Sequence, residues 1–258
     1  MVTKKASKNK AKKYYKKVGT DGTIYVWGMN YPTVITKETI EKAYRDNASD
    51  KYNKSYYANK LAEGKGKPGS DCSGMHYGLS GYDTNAQGYY ERCSEKGEFN
   101  TLPINDIVVL FKGTYVEKIN EKTGKKEIVL KVTHTGTYFG DGTCIHMKSS
   151  NDNCVEESVD KHNWTHWGRP DFIDYTTILA PSKPVLTRKL LKGFKGVDVK
   201  FLQTLLNEKG YNCGEVDGIF GKKTDIAVRN FQTDLGFVIA DGIVNKTTAK
   251  KLGFKWEG

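Results

Sequence analysis

Thr133-His-Thr-Gly-Thr-Tyr-Phe-Gly-Asp-Gly-Thr-Cys-Ile-His146 is the stretch of sequence that decides the fold of this chain. Its two ends have the composition of strands, and the Gly-Asp-Gly between them is typical of a tight turn. The pattern predicts two adjacent strands that bring His134 and His146 together on one face. A catalytic base and the residue that orients it need this proximity.

Further strand signals lie upstream of this stretch. Residues 107–111 form a short apolar run, and residues 115–119 and 127–132 flank a turn sequence that contains Thr-Gly, which predicts a long hairpin. A helix is predicted over residues 37–48, with Thr36 as its N-cap. Together these elements predict an α+β domain built on an antiparallel sheet.

The stretch after a proline-containing seam is patterned differently. Helical stripes of apolar residues predict a compact all-α unit of three helices, the last of which ends at Gly253. Residues 216–224 and 240–248 resemble each other, and in both an Asp-Gly turn runs into a helix start. The predicted organisation is a basic flexible tail over 1–17, an α+β domain over 18–175, a linker over 176–187 and the all-α unit over 188–258.

The charge of the chain is unevenly distributed. The formal net charge is +11, and eight lysines fall between Lys4 and Lys17 with no acid among them, which predicts a flexible tail. Basic ends favour contact with anionic polymers. No apolar run approaches the roughly 20 residues of a membrane span, and the start of the chain lacks the apolar core of a signal peptide. We therefore expect synthesis in the cytoplasm without a membrane anchor.

Cys72 is the candidate nucleophile. The chain has five cysteines, an odd number, so at least one is a free thiol unless it pairs with another chain. Cys72 lies in Gly69-Ser-Asp-Cys-Ser-Gly74, among small residues that leave a thiol accessible, and histidines follow downstream, as in thiol hydrolases. The alternative is an idle thiol, with His134 and His146 merely packed on a sheet.

The ordered set of motifs resembles the NlpC family of cell-wall cysteine peptidases. Asp71-Cys-Ser-Gly74, His134-Thr-Gly-Thr-Tyr138, Ile145-His146 and Tyr25-Val-Trp-Gly28 carry the likeness, which extends over residues 22–170. The resemblance implies a papain-like cysteine hydrolase fold, with a helix that starts at the cysteine. The chain departs from the family in a longer hairpin over 112–131 and in Asn105, where a glycine is typical. Neither departure touches the implied catalytic residues, but with them the resemblance does not fix the shape of the substrate groove.

The resemblance also implies roles for single residues. Cys72 would be the nucleophile, His134 its general base and acid, and His146 the residue that orients His134. An imidazolium and a helix N-terminus near the thiol would lower its pKa.

Three further residues take implied roles around the cysteine. The hydroxyl of Tyr25, with the backbone N–H of Cys72, would hold the oxyanion. Asp71 and Ser73 would border the pocket for the stem peptide. For these three residues, a role in turns and caps without a ligand is the alternative.

Residues 186–253 resemble the three-helix peptidoglycan-binding domain found at the ends of many wall hydrolases. The sequence therefore predicts a phage-type endolysin or autolysin that cuts an amide bond of the peptide stem, D-γ-glutamyl to diamino acid, with N-acetylmuramoyl-L-alanine amidase activity as the alternative. We expect peptidoglycan and anionic wall polymers as partners, no nucleic acid, no cofactor and no metal, and action on the wall after release from the producing cell.

Two other functions stay open at this stage. A metal-dependent hydrolase is suggested by a set of possible zinc ligands that includes a His-x3-His pair. The members of this set are Cys144, His146, Cys154, His162 and His166. The second possible function is that of a non-catalytic basic protein, which would bind wall polymer or nucleic acid through its lysines.

Overall fold

A computed structural model describes residues 5–176 and 183–258 of the chain. Half of the predicted linker, residues 177–182, lies outside the described residues. No helix among the described residues is long and apolar enough to cross a membrane. The helices are α1 (Lys8–Thr20), α2 (Lys37–Asn47), α3 (Lys54–Gly64), α4 (Tyr77–Ser80), α5 (Ala86–Glu91), α6 (Val197–Glu208), α7 (Lys222–Asp234) and α8 (Lys246–Leu252). The strands are β1 (Ala6–Ser7), β2 (Ile24–Tyr25), β3 (Gly69–Ser70), β4 (Cys93–Glu98), β5 (Val108–Ile119), β6 (Lys126–Tyr138), β7 (Thr143–Ser149), β8 (Asn153–Ser158), β9 (His166–Pro170), β10 (Ile173–Asp174), β11 (Val185–Leu186) and β12 (Lys255–Trp256).

The main sheet has six antiparallel strands in the order β4-β9-β5-β6-β7-β8. Strands β5 and β6 form the predicted long hairpin, which a bulge at Lys112 and Gly113 interrupts. Strands β6 and β7 pair only at Thr137 with Ile145 and at Tyr138 with Cys144. The predicted α+β class and antiparallel sheet are confirmed at this level.

The two faces of the sheet pack on different layers. Along β5, Val109 and Phe111 join an apolar cluster with residues of α1 and with Cys72. Val108 and Leu110 join a cluster with Trp164 and with the core of the C-terminal unit. This alternation follows from the two-residue period of a strand, and it explains why 107–111 is apolar at every position. The first half of β5 is therefore buried on both sides of the sheet.

The predicted flexible tail over 1–17 is wrong for the residues that the structure describes. Residues 8–20 form α1, and Ala11, Tyr15 and Val18 on its inner face are fully buried. The spacing of these three residues is helical, so the helix buries one apolar stripe and leaves most of its lysines in solvent. Lys8 is itself buried and pairs with Asp106 at 2.9 Å. The many lysines led to the prediction of a flexible tail, but the segment is an amphipathic helix that is stabilised by packing of its apolar face.

The predicted helix over 37–48 is confirmed as α2. Thr36 is its N-cap: its hydroxyl accepts the backbone N–H of Thr39, and the Thr39 side chain returns a bond to the Thr36 backbone. This reciprocal pair satisfies two N–H groups that the first turn leaves without a helical partner. Local sequence was sufficient to predict this helix.

The C-terminal unit contains the three predicted helices α6, α7 and α8, and Gly253 ends the last in a left-handed conformation. Strand β11 pairs in parallel with β12 at the end of the chain, so the unit begins before residue 188. The two similar segments, 216–224 and 240–248, share the same hydrogen-bond pattern. Gln203 and Gln232 are both buried, and each bonds the backbone of an Asp-Gly turn on both of its amide atoms.

Replacing Gln203 with methionine is expected to destabilise the C-terminal unit by about 2–4 kcal/mol. The backbone N–H of Gly218 and the carbonyl of Ile219 would lose their buried partner. Denaturant unfolding followed by circular dichroism measures the change. Thr204→Ala is the control, because its hydroxyl bonds only a carbonyl within the same helix, and it should change the free energy by no more than about 0.5 kcal/mol.

The C-terminal unit is joined to the sheet domain by specific polar contacts. The carboxylate of Asp160 accepts the backbone N–H of Val197, the first residue of α6, at 3.0 and 3.1 Å. The amine of Lys200 bonds the carbonyl of Asn100. Burial raises the pKa of Asp160. The sheet domain and the C-terminal unit therefore share one apolar cluster and are also joined by these hydrogen bonds.

Candidate active site

The segment around Cys72 is held in place by the side chain of Asp71. One carboxylate oxygen accepts the backbone N–H groups of Ser73 and Gly74 at 3.0 and 2.8 Å and the Ser73 hydroxyl at 2.9 Å. The other oxygen accepts the N–H of Gly28 at 2.9 Å. Asp71 thus caps the turn that follows the thiol and holds it against the segment at Gly28.

A groove of about 330 Å³ borders the same segment. Its lining includes Asp71 and Ser73, and it is otherwise mostly polar or charged. The other lining residues are Trp27, Gly28, Asn30, Lys42, Asp46, Asn47, Asp83, Thr84 and Asn85. Asp71 therefore caps this turn, and Asp71 and Ser73 also border the groove, whose role as a pocket for the stem peptide stays a prediction.

The helix after the cysteine differs from the one that the family resemblance implies. A single 3-10 turn over Gly74–His76 comes first, and α4 then lasts only from Tyr77 to Ser80. A Cβ placed on Gly74 would lie 2.1 Å from the carbonyl oxygen of Met29, so this segment needs a glycine to approach its neighbour. Because so short a helix has a small dipole, it contributes little to ionising the thiol.

The thiol of Cys72 is buried, with 6% of the residue exposed. Burial, and after it the charge of Asp71, raises the pKa of the thiol to about 12, while the nearby backbone of Thr135 opposes this rise. The expected lowering of this pKa is therefore wrong for the free protein. Thr135, whose backbone influences this pKa, follows His134 directly on β6.

Alkylation of Cys72 by iodoacetamide is expected to be slow at pH 7 and to speed up about tenfold per pH unit as the pH rises. A raised pKa keeps the thiol protonated below it, so the reactive thiolate grows with pH across this range. Mass spectrometry of the Cys72 peptide measures the rate. A rate that is constant between pH 5 and 8 would instead indicate a stable thiolate–imidazolium pair.

His134 and His146 lie on β6 and β7 and contact each other directly, as the sequence predicts. Nε2 of His134 is 2.8 Å from Nδ1 of His146, and Nε2 of His146 is 3.0 Å from Oε1 of Glu157. Burial, then the proximity of His146, lowers the pKa of His134 to about 3, and burial also lowers that of His146. Both rings are therefore neutral at neutral pH.

Glu157 determines which nitrogen of each ring carries the proton. A carboxylate only accepts, so Nε2 of His146 carries hydrogen and its Nδ1 accepts from Nε2–H of His134. This leaves Nδ1 of His134 with a free lone pair, the state that a general base requires. Although burial opposes it, bonds to His146 and Lys148 lower the pKa of Glu157 and keep it ionised.

Sequence reasoning missed Glu157, and the hairpin of β7 and β8 shows which signal would have found it. His146 pairs with Val155 and Cys144 with Glu157. Alternate residues of a strand share a face, so Glu157 lies diagonally opposite His146. Only the register of this hairpin, which bulges after Met147, reveals the neighbour.

His76 is a further histidine near the cysteine, with a structural role. It is fully buried; its Nδ1 bonds the Tyr15 hydroxyl at 2.7 Å and its Nε2 the Thr135 hydroxyl at 3.1 Å. Burial lowers its pKa to about 3. Through His76, helix α1 supports the strand that carries His134.

Tyr25, the implied oxyanion donor, is buried at 7% exposure. Burial raises the pKa of its phenol, and the charge that Cys72 would carry raises it further. The hydroxyl is therefore protonated and lies within electrostatic range of the thiol. A protonated phenol is the form that donates a hydrogen bond to an oxyanion.

The structure gathers a different set of possible metal ligands from the one proposed on sequence. Within the described residues, the group that could hold a metal ion consists of His134, His146 and His162. His166 instead bonds Tyr115 at 3.2 Å and its neighbour Thr165. All five cysteines are free. The His-x3-His pair is therefore not a pair of ligands.

Residues 195–252 match a family model described as a putative peptidoglycan binding domain. The chain is 42% identical over 81 residues to the spore cortex-lytic enzyme of Bacillus subtilis, which covers 31% of this chain and 25% of that protein. It is 44% identical over 61 residues to the spore cortex-lytic enzyme of Oceanobacillus iheyensis, covering 24% and 22%. The chain thus spans about a quarter of the length of these relatives.

Two solved structures are also similar. The crystal structure of the SleB N-terminal domain is 37% identical over 26% of this chain and 92% of its own, with a TM-score of 0.25. A peptidoglycan-binding protein from Clostridioides difficile, solved in complex with glutamine hydroxamate, is 20% identical over 59% of this chain and 95% of its own, also with a TM-score of 0.25.

Proposed function

We propose that this protein is a peptidoglycan hydrolase that cuts an amide bond of the peptide stem through the thiol of Cys72. The observation that carries the proposal is the hydrogen-bonded row His134–His146–Glu157, which begins beside Thr135, a residue near enough to Cys72 for its backbone to influence the pKa of the thiol. The matched wall-binding domain and relatives named spore cortex-lytic enzymes support peptidoglycan as the substrate.

The chemistry follows from the protonation states. In the proposed first step, Nδ1 of His134 takes the proton of the Cys72 thiol as the sulfur attacks the amide carbon. The oxyanion that forms is held by the backbone N–H of Cys72 and the hydroxyl of Tyr25, a contribution of about 3 kcal/mol per donor. The C–N bond then breaks, and His134 returns the proton to the leaving amine.

A thioester between Cys72 and the acyl part of the substrate remains after this step. Water attacks the thioester carbon while His134 takes a proton from that water. The C–S bond then breaks as His134 returns this proton to the sulfur, which releases the acid and regenerates the thiol. His146 keeps His134 oriented in both steps, and Glu157 keeps His146 in the tautomer that accepts from it. Because the resting thiol is protonated, proton transfer to His134 accompanies each attack rather than preceding it.

The groove beside Asp71 and Ser73 supports a peptide as the substrate. Lys42 and Asp46 pair with each other at 2.7 Å, and in the proposed complex Lys42 would turn to a stem carboxylate while Asp46 and Asp83 bind the amine of a diamino acid. We favour the bond from D-γ-glutamyl to the diamino acid, with the N-acetylmuramoyl-L-alanine bond as the alternative. Action on the wall after release from the producing cell is part of the same proposal.

Digestion of defined peptidoglycan tests the proposal. We expect new free amino groups without new reducing sugar ends, and mass spectrometry of the fragments distinguishes the two candidate bonds. Activity should be blocked by a thiol alkylator and should survive a chelator. Release of reducing ends alone, or activity that a chelator abolishes and an alkylator leaves intact, would contradict thiol catalysis.

A further inference from the structure

We propose that His134, His146 and His162 form a Zn²⁺ site that holds the hydrolase in an inactive state. The binding part of this proposal stands on the geometry of the three rings, whereas the inhibitory part rests on the function proposed above. The site shares His134 and His146 with the proposed catalytic row, so the ion and the thiol chemistry would compete for the same two rings.

The positions of the ligand atoms match a site for a small ion. One nitrogen from each ring is available, and these atoms all lie within 4.8 Å of one another. Tetrahedral zinc with Zn–N bonds of 2.0–2.1 Å needs ligand nitrogens about 3.3 Å apart. The His134–His146 pair, now 2.8 Å apart, would open slightly, and the ring of His162 would move inward.

His162 supplies the independent sign of a ligand. Its Nε2 is a buried atom without a hydrogen-bond partner among the residues described. The ring centroid lies 4.7 Å from that of His146 and 5.2 Å from that of His134, and Trp164 packs against it at 4.6 Å. A buried nitrogen left without a partner costs free energy, which a bound ion would remove.

The surroundings of His146 are also those of a metal ligand. Its Nδ1 points to the cluster while its Nε2–H is held by the carboxylate of Glu157 at 3.0 Å. Carboxylates that bind the second nitrogen of a ligating histidine fix the ring and make it a better donor. Three neutral imidazoles favour zinc over magnesium or calcium, which prefer oxygen ligands, and leave a fourth position for water.

Zinc at this position would stop the thiol chemistry by moving one proton. An imidazole that binds a metal through Nε2 carries its hydrogen on Nδ1. For His134, the proton now on Nε2 would therefore move to Nδ1 through solvent. The lone pair that accepts the Cys72 proton would then be lost, with no change in the charge of the ring.

Metal binding to the full chain tests the site directly. After treatment with EDTA, titration with Co²⁺ should give the visible absorption of a tetrahedral complex at one ion per chain, and Zn²⁺ should displace it. His162→Asn should weaken Zn²⁺ binding at least tenfold. His166→Asn, a histidine outside the cluster, is the matched control and should bind like the wild type.

Wall hydrolysis provides the second measurement. Micromolar Zn²⁺ should reduce the wild-type rate, EDTA should restore it, and His162→Asn should resist the ion relative to its own metal-free rate. Absence of a Co²⁺ spectrum, or equal affinity in His162→Asn, would overturn the site. Stimulation by zinc would overturn the inhibitory part. A protein that binds Co²⁺ but never cuts walls would overturn the function and leave the site standing.

Discussion

Cys72→Ala is expected to abolish wall hydrolysis, with a loss of at least about a thousandfold in kcat/KM. Without the sulfur no thioester forms, and the histidine row has no nucleophile to deprotonate. Turbidity loss of purified walls and fragment release measure the effect. Binding to walls should persist, because the matched peptidoglycan-binding segment at 195–252 is far from the substitution in sequence.

Cys93→Ala is the matched control for this experiment. Cys93 is as buried as Cys72, and burial raises the pKa of its thiol to about 12 as well. Its sulfur bonds the carbonyl of Tyr89 and lies outside the histidine row. The variant should retain most of its activity, so a loss in both variants would indicate that each substitution disturbs packing. Full activity of Cys72→Ala would rule out the thiol mechanism.

Glu157→Gln is expected to lower kcat/KM by about a hundredfold or more, as loss of a carboxylate that fixes a catalytic histidine does. The amide of glutamine can present an N–H to Nε2 of His146, which places hydrogen on Nδ1 of that ring. Two N–H groups would then face each other between His146 and His134. His134 would turn away, and its Nδ1 would no longer be positioned to accept the thiol proton.

The adjacent residue provides the control for Glu157. Glu156 on the same strand pairs with Lys16 on α1 at the surface, so Glu156→Gln should leave activity nearly unchanged. A positioning role predicts that Glu157→Gln lowers kcat and leaves KM and wall binding unaltered, and that Glu157→Asp recovers part of the rate. Equal losses in the two glutamine variants would point to general destabilisation of β8.

Local sequence was sufficient where a short pattern determines its own structure. The N-cap at Thr36, the Asp-Gly turns of the C-terminal unit and the turn between β6 and β7 were all predicted, because each depends on contacts within a few residues. Helix α1 was missed for the opposite reason. Its stability depends on burying Tyr15 and Val18 against distant strands, which lysine content conceals.

The candidate site divides in the same way. The sequence by itself determined the chemical types and the approximate meeting of His134 with His146, because one tight turn joins their strands. Tertiary structure alone decided the burial that raises the thiol pKa, the partnership of Glu157 with His146, and the approach of His162. These three features depend on how deeply each group is buried and on how distant strands align. A short stretch of sequence determines neither of these.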